Sequence, residues 1–404
     1  MKKLQLHWQI LIALVLGVLF GVTFPDLIKY VEWMGTLFLR ALRMIIVPLI
    51  FSSIVSGVTG LGSGENLGRM TMKTIGYYLT TSLFAIFTGL ILVNLIKPGV
   101  GADLGLSAVV EGLDVSRDSF GQTLLKIIPT NIVESMASGD LPGIIFFAII
   151  FGFFATRVAP AYRDPIVNFF NAIFEIMMKI TMFVIKFTPY GVFGIVAALI
   201  SDHSDNLLAI FGRMGIYMLT VIGALSIHAF ITLPLIVRII GKSNPVKHAR
   251  GMSVPLLTAF STSSSSATLP LTMEAVEFNS GVSNKTTSFV LPLGATINMD
   301  GTALYQCVAV LFIAQAYGVE LTIIQQLVVI LTALLASIGA AGIPMAGLVI
   351  ITVILSAVGL PLEGVGLILA VDRILDMFRT AVNVWSDSCG AVVIAKSEGE
   401  ILKV

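Results

Sequence analysis

The chain has 404 residues, of which 56% are hydrophobic and only 12% are charged, and its mean hydropathy is +0.98. This composition excludes an ordinary soluble globular protein and indicates a protein that resides in a lipid bilayer. The formal net charge of +1 lacks the basic excess that nucleic-acid binding requires, so we expect membrane lipid as a partner and no nucleic acid.

Charge-poor runs of about 20 residues, the length that crosses the hydrocarbon as a helix, recur along the chain. We therefore predict an all-α membrane protein with eight transmembrane helices. The predicted spans are roughly Trp8 to Phe24, Thr36 to Val58, Ile75 to Ile96, Leu141 to Arg157, Pro165 to Ile200, Leu207 to Ile240, Thr286 to Tyr317 and Gly364 to Ala395.

Two further apolar segments are interrupted at their centres by small or polar residues. The segment Gly251 to Met273 contains Ser-Thr-Ser-Ser-Ser-Ser, and the segment Leu321 to Leu362 contains Gly-Ala-Ala-Gly-Ile-Pro. We predict that each is a re-entrant helical hairpin and that each hairpin with a following helix forms half of an inverted repeat. Such repeats place a substrate near the bilayer midplane, between broken helices.

Lysine and arginine residues in the short connections predict the orientation, because they concentrate on the cytoplasmic side. With the N-terminus inside, the more basic connections are cytoplasmic and the C-terminus is cytoplasmic as well. We expect an integral multi-pass protein of a prokaryotic cytoplasmic membrane. The serine-rich hairpin would then enter from the cytoplasm and the glycine-rich hairpin from outside.

The last predicted helix carries charged side chains within a membrane span, where each costs about 2.5 to 3.5 kcal/mol on an insertion scale. They are Asp372, Arg373, Asp376, Arg379 and Asp387. At about 100° per residue, one face of this helix presents several polar side chains within an arc of about 100°. That face consists of Asp376, Arg379, Thr380, Asn383 and Asp387. The pattern indicates a polar cavity rather than lipid.

These side chains suit an acidic amino acid. Arg379 can hold a carboxylate with two parallel hydrogen bonds, and Asp376 can accept hydrogen bonds from an ammonium group. The first hairpin offers serine hydroxyls and the backbone N–H groups of a helix start, which favour a second carboxylate. Those serines are Ser263, Ser264, Ser265 and Ser266.

The stretch from Gly294 to Thr302 interrupts the seventh crossing with polar residues between glycines. We predict an unwound segment there, because unwinding frees carbonyl oxygens. Asp300 and Asp387 add negative charge, and such an oxygen-rich set fits a hard monovalent cation. The sequence therefore predicts sodium ions as co-transported ions.

Four ordered motifs together resemble one family over nearly the whole chain. They are residues 264–270, Asn298 to Thr302, Ser337 to Pro344, and Asp376 to Thr380 with Asn383 and Asp387. The chain resembles the glutamate transporter homologues of the dicarboxylate/amino acid:cation symporter family. The resemblance implies the glutamate transporter elevator fold, a homotrimer and symport of aspartate, glutamate or both, and no enzymatic activity.

The resemblance also implies a division of the chain and a set of site residues. A rigid scaffold would comprise approximately residues 8–58 and 120–200, and a mobile transport domain approximately residues 75–96 and 206–396. Arg379 would hold the side-chain carboxylate, Asp376 the amino group, and Asn383 with Thr302 the α-carboxylate. The full substrate-binding set would be Ser263, Ser264, Ser265, Thr302, Gly347, Asp376, Arg379, Thr380 and Asn383.

For sodium, the resemblance implies three sites. The first would use Gly294, Asn298, Asn383 and Asp387. The second would use Thr296, Met299, Ser337, Ile338 and Ala340. The third would use Tyr78, Thr81, Ser82, Asn298 and Asp300. The chain departs from relatives that have an arginine where Ser263 or Met377 stands, so we expect a less positive site.

Four other interpretations stay open. A proton-coupled carrier of C4-dicarboxylates would also use Arg379, but Asp376 would repel the second carboxylate. A neutral amino acid carrier would leave Arg379 unmatched. An intramembrane hydrolase lacks a Gly-x-Ser-x-Gly or His-Glu-x-x-His motif, and we interpret His228 as a core histidine. A passive channel would not need hairpins that close over a midplane site.

Overall fold

The computed structural model describes residues 6–60, 65–101, 128–138, 141–202, 207–337 and 346–404. Within these ranges the secondary structure is helical and no strand occurs. The α-helices are α1 Leu6–Thr23, α2 Glu32–Gly60, α3 Glu65–Ile96, α4 Ile132–Ser138, α5 Leu141–Ala155, α6 Pro160–Ile185, α7 Thr188–Asp202, α8 Leu207–Ile227, α9 Leu233–Ile239, α10 Pro245–Gly251, α11 Ser253–Thr262, α12 Ser265–Ala275, α13 Asn284–Ile297, α14 Asp300–Ala316, α15 Ile323–Ser337, α16 Ala346–Ala357 and α17 Val365–Ser397.

Several helical stretches in the described part of the chain are long and apolar enough to cross a membrane. They are Arg69–Ile96, Pro160–Ile185, Gly212–Ile239 and Asn284–Ala316. The third includes a π-helical turn at His228–Thr232, and the last includes the break between α13 and α14. The predicted all-helical membrane architecture is confirmed at this coarse level.

The predicted crossing from Pro165 to Ile200 is divided into two helices, α6 and α7. The last turn of α6 tightens, because the amide of Phe187 bonds to the carbonyl of Val184, three residues back. Pro189 follows in the first turn of α7, and proline has no N–H with which to continue the preceding helix. Lys186, Thr188 and Pro189 mark this division in the sequence, but the predicted single crossing passed over them.

Both predicted helical hairpins have two packed arms. Helices α11 and α12 contact each other and α17, and helices α15 and α16 contact each other and α14. The tip of the second hairpin, with Ile338 and Ala340, lies outside the described residues. Entry of the hairpins into the bilayer from opposite sides stays a prediction.

The helices group by their contacts. Helices α1, α2, α5, α6 and α7 pack on one another, whereas α3, α8, α15, α16 and α17 pack on α14, and α11, α12 and α13 pack on α17. Helix α14 is buried along nearly its whole length, and α3 reaches it closely at Gly89, where an added Cβ would lie 2.9 Å from Val308. The division into scaffold and transport domain agrees with this grouping and stays a prediction.

The residues after α17 tie several helices together at one end of the fold. Glu398 forms ion pairs of 2.6 Å with Arg69 and Lys73 at the start of α3. Glu400 accepts hydrogen bonds from the backbone and hydroxyl of Ser283, the residue that caps α13. The two ion pairs lower the pKa of Glu398 to about 2.

Candidate functional site

The predicted unwound segment lies between α13 and α14. Asn298 has φ −90° and ψ 84°, and Met299 has φ −113° and ψ 51°, so neither residue is helical. Asp300 then stands in the first turn of α14, where the helix dipole stabilises a negative charge. The interruption predicted from the glycine-flanked polar stretch is confirmed.

Asp300 is fully buried and surrounded by hydrogen-bonding side chains from three other helical segments. Its Oδ1 accepts hydrogen bonds from Ser82 at 2.5 Å and Thr81 at 3.3 Å. Its Oδ2 accepts from Ser386 at 2.6 Å and lies 3.1 Å from Nε2 of His228. Hydroxyl groups can donate to a carboxylate or turn a lone pair toward a cation, so this cluster can change partners without moving its backbone.

His228 is a buried histidine, as predicted, and it also contacts the candidate cation site. It begins the π-helical turn His228–Thr232, and its Nδ1 has no hydrogen-bond partner among the described residues. π-Helical turns occur mostly as single insertions in α-helices, frequently at functional sites. No sequence motif links His228 to Asp300, so the contact could not be predicted.

Asp387 is the second buried carboxylate of this region. Asn298 donates its side-chain amide to Oδ1 of Asp387 at 2.9 Å and to Ser386 at 3.0 Å. Gly294 lies so close that an added Cβ would be 2.5 Å from Oδ1 of Asp387 and 2.7 Å from the Tyr78 hydroxyl. The structure therefore brings together Gly294, Asn298 and Asp387, three members of the first sodium site that the resemblance implies, and adds Tyr78 to the same group.

The second predicted sodium site is described only in part. Thr296 is exposed, and Ser337 and Met299 are buried. The hydroxyls of Thr296 and Ser337 each donate to a carbonyl of their own helix. Ile338 and Ala340 lie outside the described residues, so the grouping of these five residues stays a prediction.

Asn383 on α17 connects that helix to the start of α14. Its side-chain oxygen accepts a hydrogen bond of 2.7 Å from the backbone N–H of Gly301. Its amide donates to Thr302 at 3.1 Å and to the sulfur of Met299 at 3.3 Å. Asn383 and Thr302, both predicted substrate ligands, are therefore neighbours beside the unwound segment.

Arg379 is almost fully buried, at 1% exposure, and two carboxylates hold it. Nη1 donates to Asp372 at 2.8 Å, and Nε donates to Asp376 at 2.8 Å. The guanidinium lies over the ring of Tyr305, 4.2 Å from its centre, and the Tyr305 hydroxyl donates to Asp372 at 2.6 Å. Thr380 lies 3.5 Å from Asp376. Nη2 of Arg379 has no hydrogen-bond partner among the described residues.

Asp372 and Tyr305 were not predicted as site residues. Asp372 precedes Arg379 by seven residues, which places the two about 20° apart on an ideal helix, so the helical spacing could have identified it. Tyr305 lies on α14, and only the packing of α14 against α17 brings its ring to Arg379.

The tip of the first hairpin has the polar turn that the serine run predicted. Ser263 adopts a left-handed conformation with φ 52° and ends α11. Its hydroxyl is buried without a hydrogen-bond partner among the described residues. Ser264 caps α12 by accepting a hydrogen bond from Ala267, and the Ser265 hydroxyl lies 3.5 Å from the carbonyl of Ala295.

Gly347, at the start of the second arm of the other hairpin, lies against Arg379. A Cβ at this position would be 3.1 Å from Cζ and 3.2 Å from Nη2 of Arg379. The guanidinium is thus bounded by α14, α16 and its own helix. The N–H groups of Nη2, which have no partner among the described residues, are suited to a small anion.

The sequence matches a family profile described as "Sodium:dicarboxylate symporter family" over residues 6–397. A proton/glutamate-aspartate symporter of Escherichia coli is 37% identical over 98% of this chain and 93% of its own length. A proton/sodium-glutamate symport protein of Geobacillus stearothermophilus is 35% identical over 99% and 96%. Mouse excitatory amino acid transporter 3 is 37% identical over 98% and 86%.

Proposed function

Because the chain belongs to the sodium:dicarboxylate symporter family, we propose that it carries acidic amino acids across the cytoplasmic membrane together with sodium ions. The chain is a transporter and not an enzyme, as predicted, so the hydrolase interpretation is set aside. The substrate, the coupled ion and the working cycle are argued below from the site.

One observation carries the choice of substrate: a buried arginine, whose Nη2 has no hydrogen-bond partner in the described part of the chain, lies beside a carboxylate on the same helix. Arg379 is the positive pole of the site and suits the side-chain carboxylate of aspartate or glutamate. Asp376 is the negative pole and suits the α-ammonium group. Asn383 and Thr302, which are hydrogen-bonded to each other, and the hairpin serines would supply donors for the α-carboxylate. The names of the relatives, which include glutamate and aspartate symporters, support this assignment.

The two rival substrates fit the same poles less well. A C4-dicarboxylate has no cation for Asp376, and like charges at short distance repel in a low-dielectric site. A neutral amino acid has no anion for Arg379, and an interaction site built for a charged partner rejects a ligand that leaves it unpaired. Acidic amino acids satisfy both groups.

The proposed coupling ion is sodium because of the donor types around Asp300 and Asp387. Both carboxylates are buried, and their neighbours include the hydroxyls of Ser82 and Thr81 and the amide of Asn298. Carboxylate, hydroxyl and carbonyl oxygens are ligands of hard cations. Proton coupling is the second candidate, because the E. coli relative carries "proton" in its name and both carboxylates could bind a proton.

The proposed cycle is the elevator movement of a transport domain within each protomer of a homotrimer, in contact with membrane lipid. The contacts support this division, since the helices of the predicted scaffold pack mainly on one another. The glycine-rich hairpin would close over Arg379 through Gly347. The cytoplasmic N- and C-termini and the prokaryotic origin belong to the same proposal.

Uptake by purified protein in liposomes tests the proposed function. L-aspartate, L-glutamate, succinate and L-serine are offered under an inward sodium gradient or an inward proton gradient. We expect uptake of the two acidic amino acids that depends on sodium. Uptake driven equally well by protons alone would refute sodium coupling, and preference for succinate or serine would refute the assigned substrate.

A further inference from the structure

Arg373 lies one turn before Asp376 on α17 and has no part in either pole of the proposed substrate site. Its Nη1 is 3.7 Å from Oδ2 of Asp376, and its side chain is 26% exposed. Arg379, by contrast, is 1% exposed and binds its carboxylates at 2.8 Å. Both arginines therefore contact Asp376, Arg379 through a buried hydrogen bond and Arg373 through a longer, partly exposed ion pair.

The two oxygens of Asp376 have different partners. Oδ1 accepts the 2.8 Å hydrogen bond from Nε of Arg379, so it is firmly held. Oδ2 faces Arg373 at 3.7 Å, which is an ion-pair distance but too long for a hydrogen bond. An ammonium group brings three N–H donors, and one that binds Oδ2 would lie close to the like-charged Arg373, which repels it.

We propose that Arg373 is a releasable counterion of Asp376, which occupies Oδ2 in the empty site and yields it to the ammonium group of the substrate. This inference rests on the proposed function, in which Asp376 binds that ammonium. Arg373 thereby becomes a specificity-determining residue. It competes with substrates that have an ammonium group, and it keeps Asp376 neutralised when a substrate, such as a dicarboxylate, has none.

The charges of the cluster separate this local effect from a general one. Arg373 and Arg379 give +2 and Asp372 with Asp376 give −2, so their sum is zero when all four are ionised. Loss of Arg373 leaves −1. A general electrostatic effect would then weaken the binding of every anion, aspartate included. The proposed competition acts in the opposite direction for substrates that have an ammonium group, such as aspartate.

The test compares Arg373→Gln with the parent protein in lipid nanodiscs, at fixed sodium concentration. Arg163→Gln is the matched control, because Arg163 is also partly exposed, at 29%, and forms an ion pair with Asp164. Equilibrium binding of L-aspartate and its displacement by succinate are measured. For Arg373→Gln we expect the Kd of aspartate to fall about twofold to fivefold, the range that a partly exposed ion pair is worth, and the Ki of succinate to rise.

Arg163→Gln should change neither value. Weaker or unchanged aspartate binding in Arg373→Gln overturns the proposal. If Arg373→Gln does not fold, Arg373→Lys is tested instead. The lysine keeps the charge but has a shorter reach, so aspartate should again bind more tightly than to the parent protein. Unchanged binding overturns the proposal. A parent protein that binds neither aspartate nor glutamate refutes the proposed function itself, whatever the variants do.

Discussion

Gly347→Ala tests whether the substrate carboxylate meets Arg379 on the side of the second hairpin. The added methyl carbon would lie 3.1 Å from Cζ and Nη1 and 3.2 Å from Nη2 of the guanidinium. A carbon atom needs about 3.5 to 4.0 Å from its non-bonded neighbours. The guanidinium, which also lies over the Tyr305 ring at 4.2 Å, has to move by a few tenths of an ångström.

The expected loss follows from the bonds that this displacement affects. Nη2, the group left for the substrate, becomes shielded by the methyl group, and a hydrogen bond to a charged group is worth about 1.5 to 3 kcal/mol. At about 1.4 kcal/mol per factor of ten, L-aspartate should bind roughly 10- to 100-fold more weakly. L-glutamate, which is longer by one methylene group, should lose at least as much.

Binding is measured by titration calorimetry on purified protein in nanodiscs at saturating sodium, together with the thermal unfolding temperature. The control is Gly76→Ala on α3, because an added Cβ there has no neighbour within 4 Å, and its aspartate affinity should equal that of the parent. Unchanged aspartate affinity in a folded Gly347→Ala protein would show that the substrate carboxylate does not approach Arg379 from this side.

Three further predictions concern single charged groups. Arg379→Cys should abolish uptake of acidic amino acids and admit neutral ones such as serine, because the cation facing the side-chain carboxylate disappears; normal aspartate uptake in liposomes would contradict the assigned role. Asp300→Asn should raise the sodium concentration needed for half-maximal aspartate binding by tenfold or more, because a charged oxygen ligand becomes neutral, and an unchanged sodium titration would remove Asp300 from the ion site. Glu398→Gln should lower the unfolding temperature at pH 7. Because the folded pKa of Glu398, about 2, lies below the ordinary 4.5, this stabilisation is present above pH 4.5 and is lost as the pH falls toward 2; a difference between parent and variant that stays constant over that range would contradict the ion-pair origin.

The elements that sequence predicted well are those where local composition breaks a pattern. The polar stretch around Asn298 interrupts an apolar run, and the structure has its helix break there. The serine run at Ser263 marks the turn between two hairpin arms. In each case the residues that end a helix also differ visibly from their apolar neighbours.

The features that sequence could not predict depend on tertiary contacts or on backbone detail. The division at Pro189 is an exception, because Lys186 and Pro189 interrupt the apolar run and could have indicated it. Tyr305 reaches Arg379 only through the packing of two long helices, and His228 reaches Asp300 from a separate helix through a π-helical turn. Asp372 is an intermediate case, since its spacing from Arg379 was visible in the sequence but its role as a partner needed the 2.8 Å contact.

The ion pairs around Arg379 have a consequence for the return step of the proposed cycle. After it releases its substrate, the transport domain of an elevator carrier has to return empty. An unneutralised guanidinium within the bilayer would raise the free energy of that movement. Asp372 and Asp376, both 2.8 Å from it, together with Arg373 bring the formal charge of this cluster to zero without any substrate. In the proposed cycle the empty transport domain would therefore cross the bilayer without an unpaired charge, so net uptake is expected and not only the exchange of one solute for another.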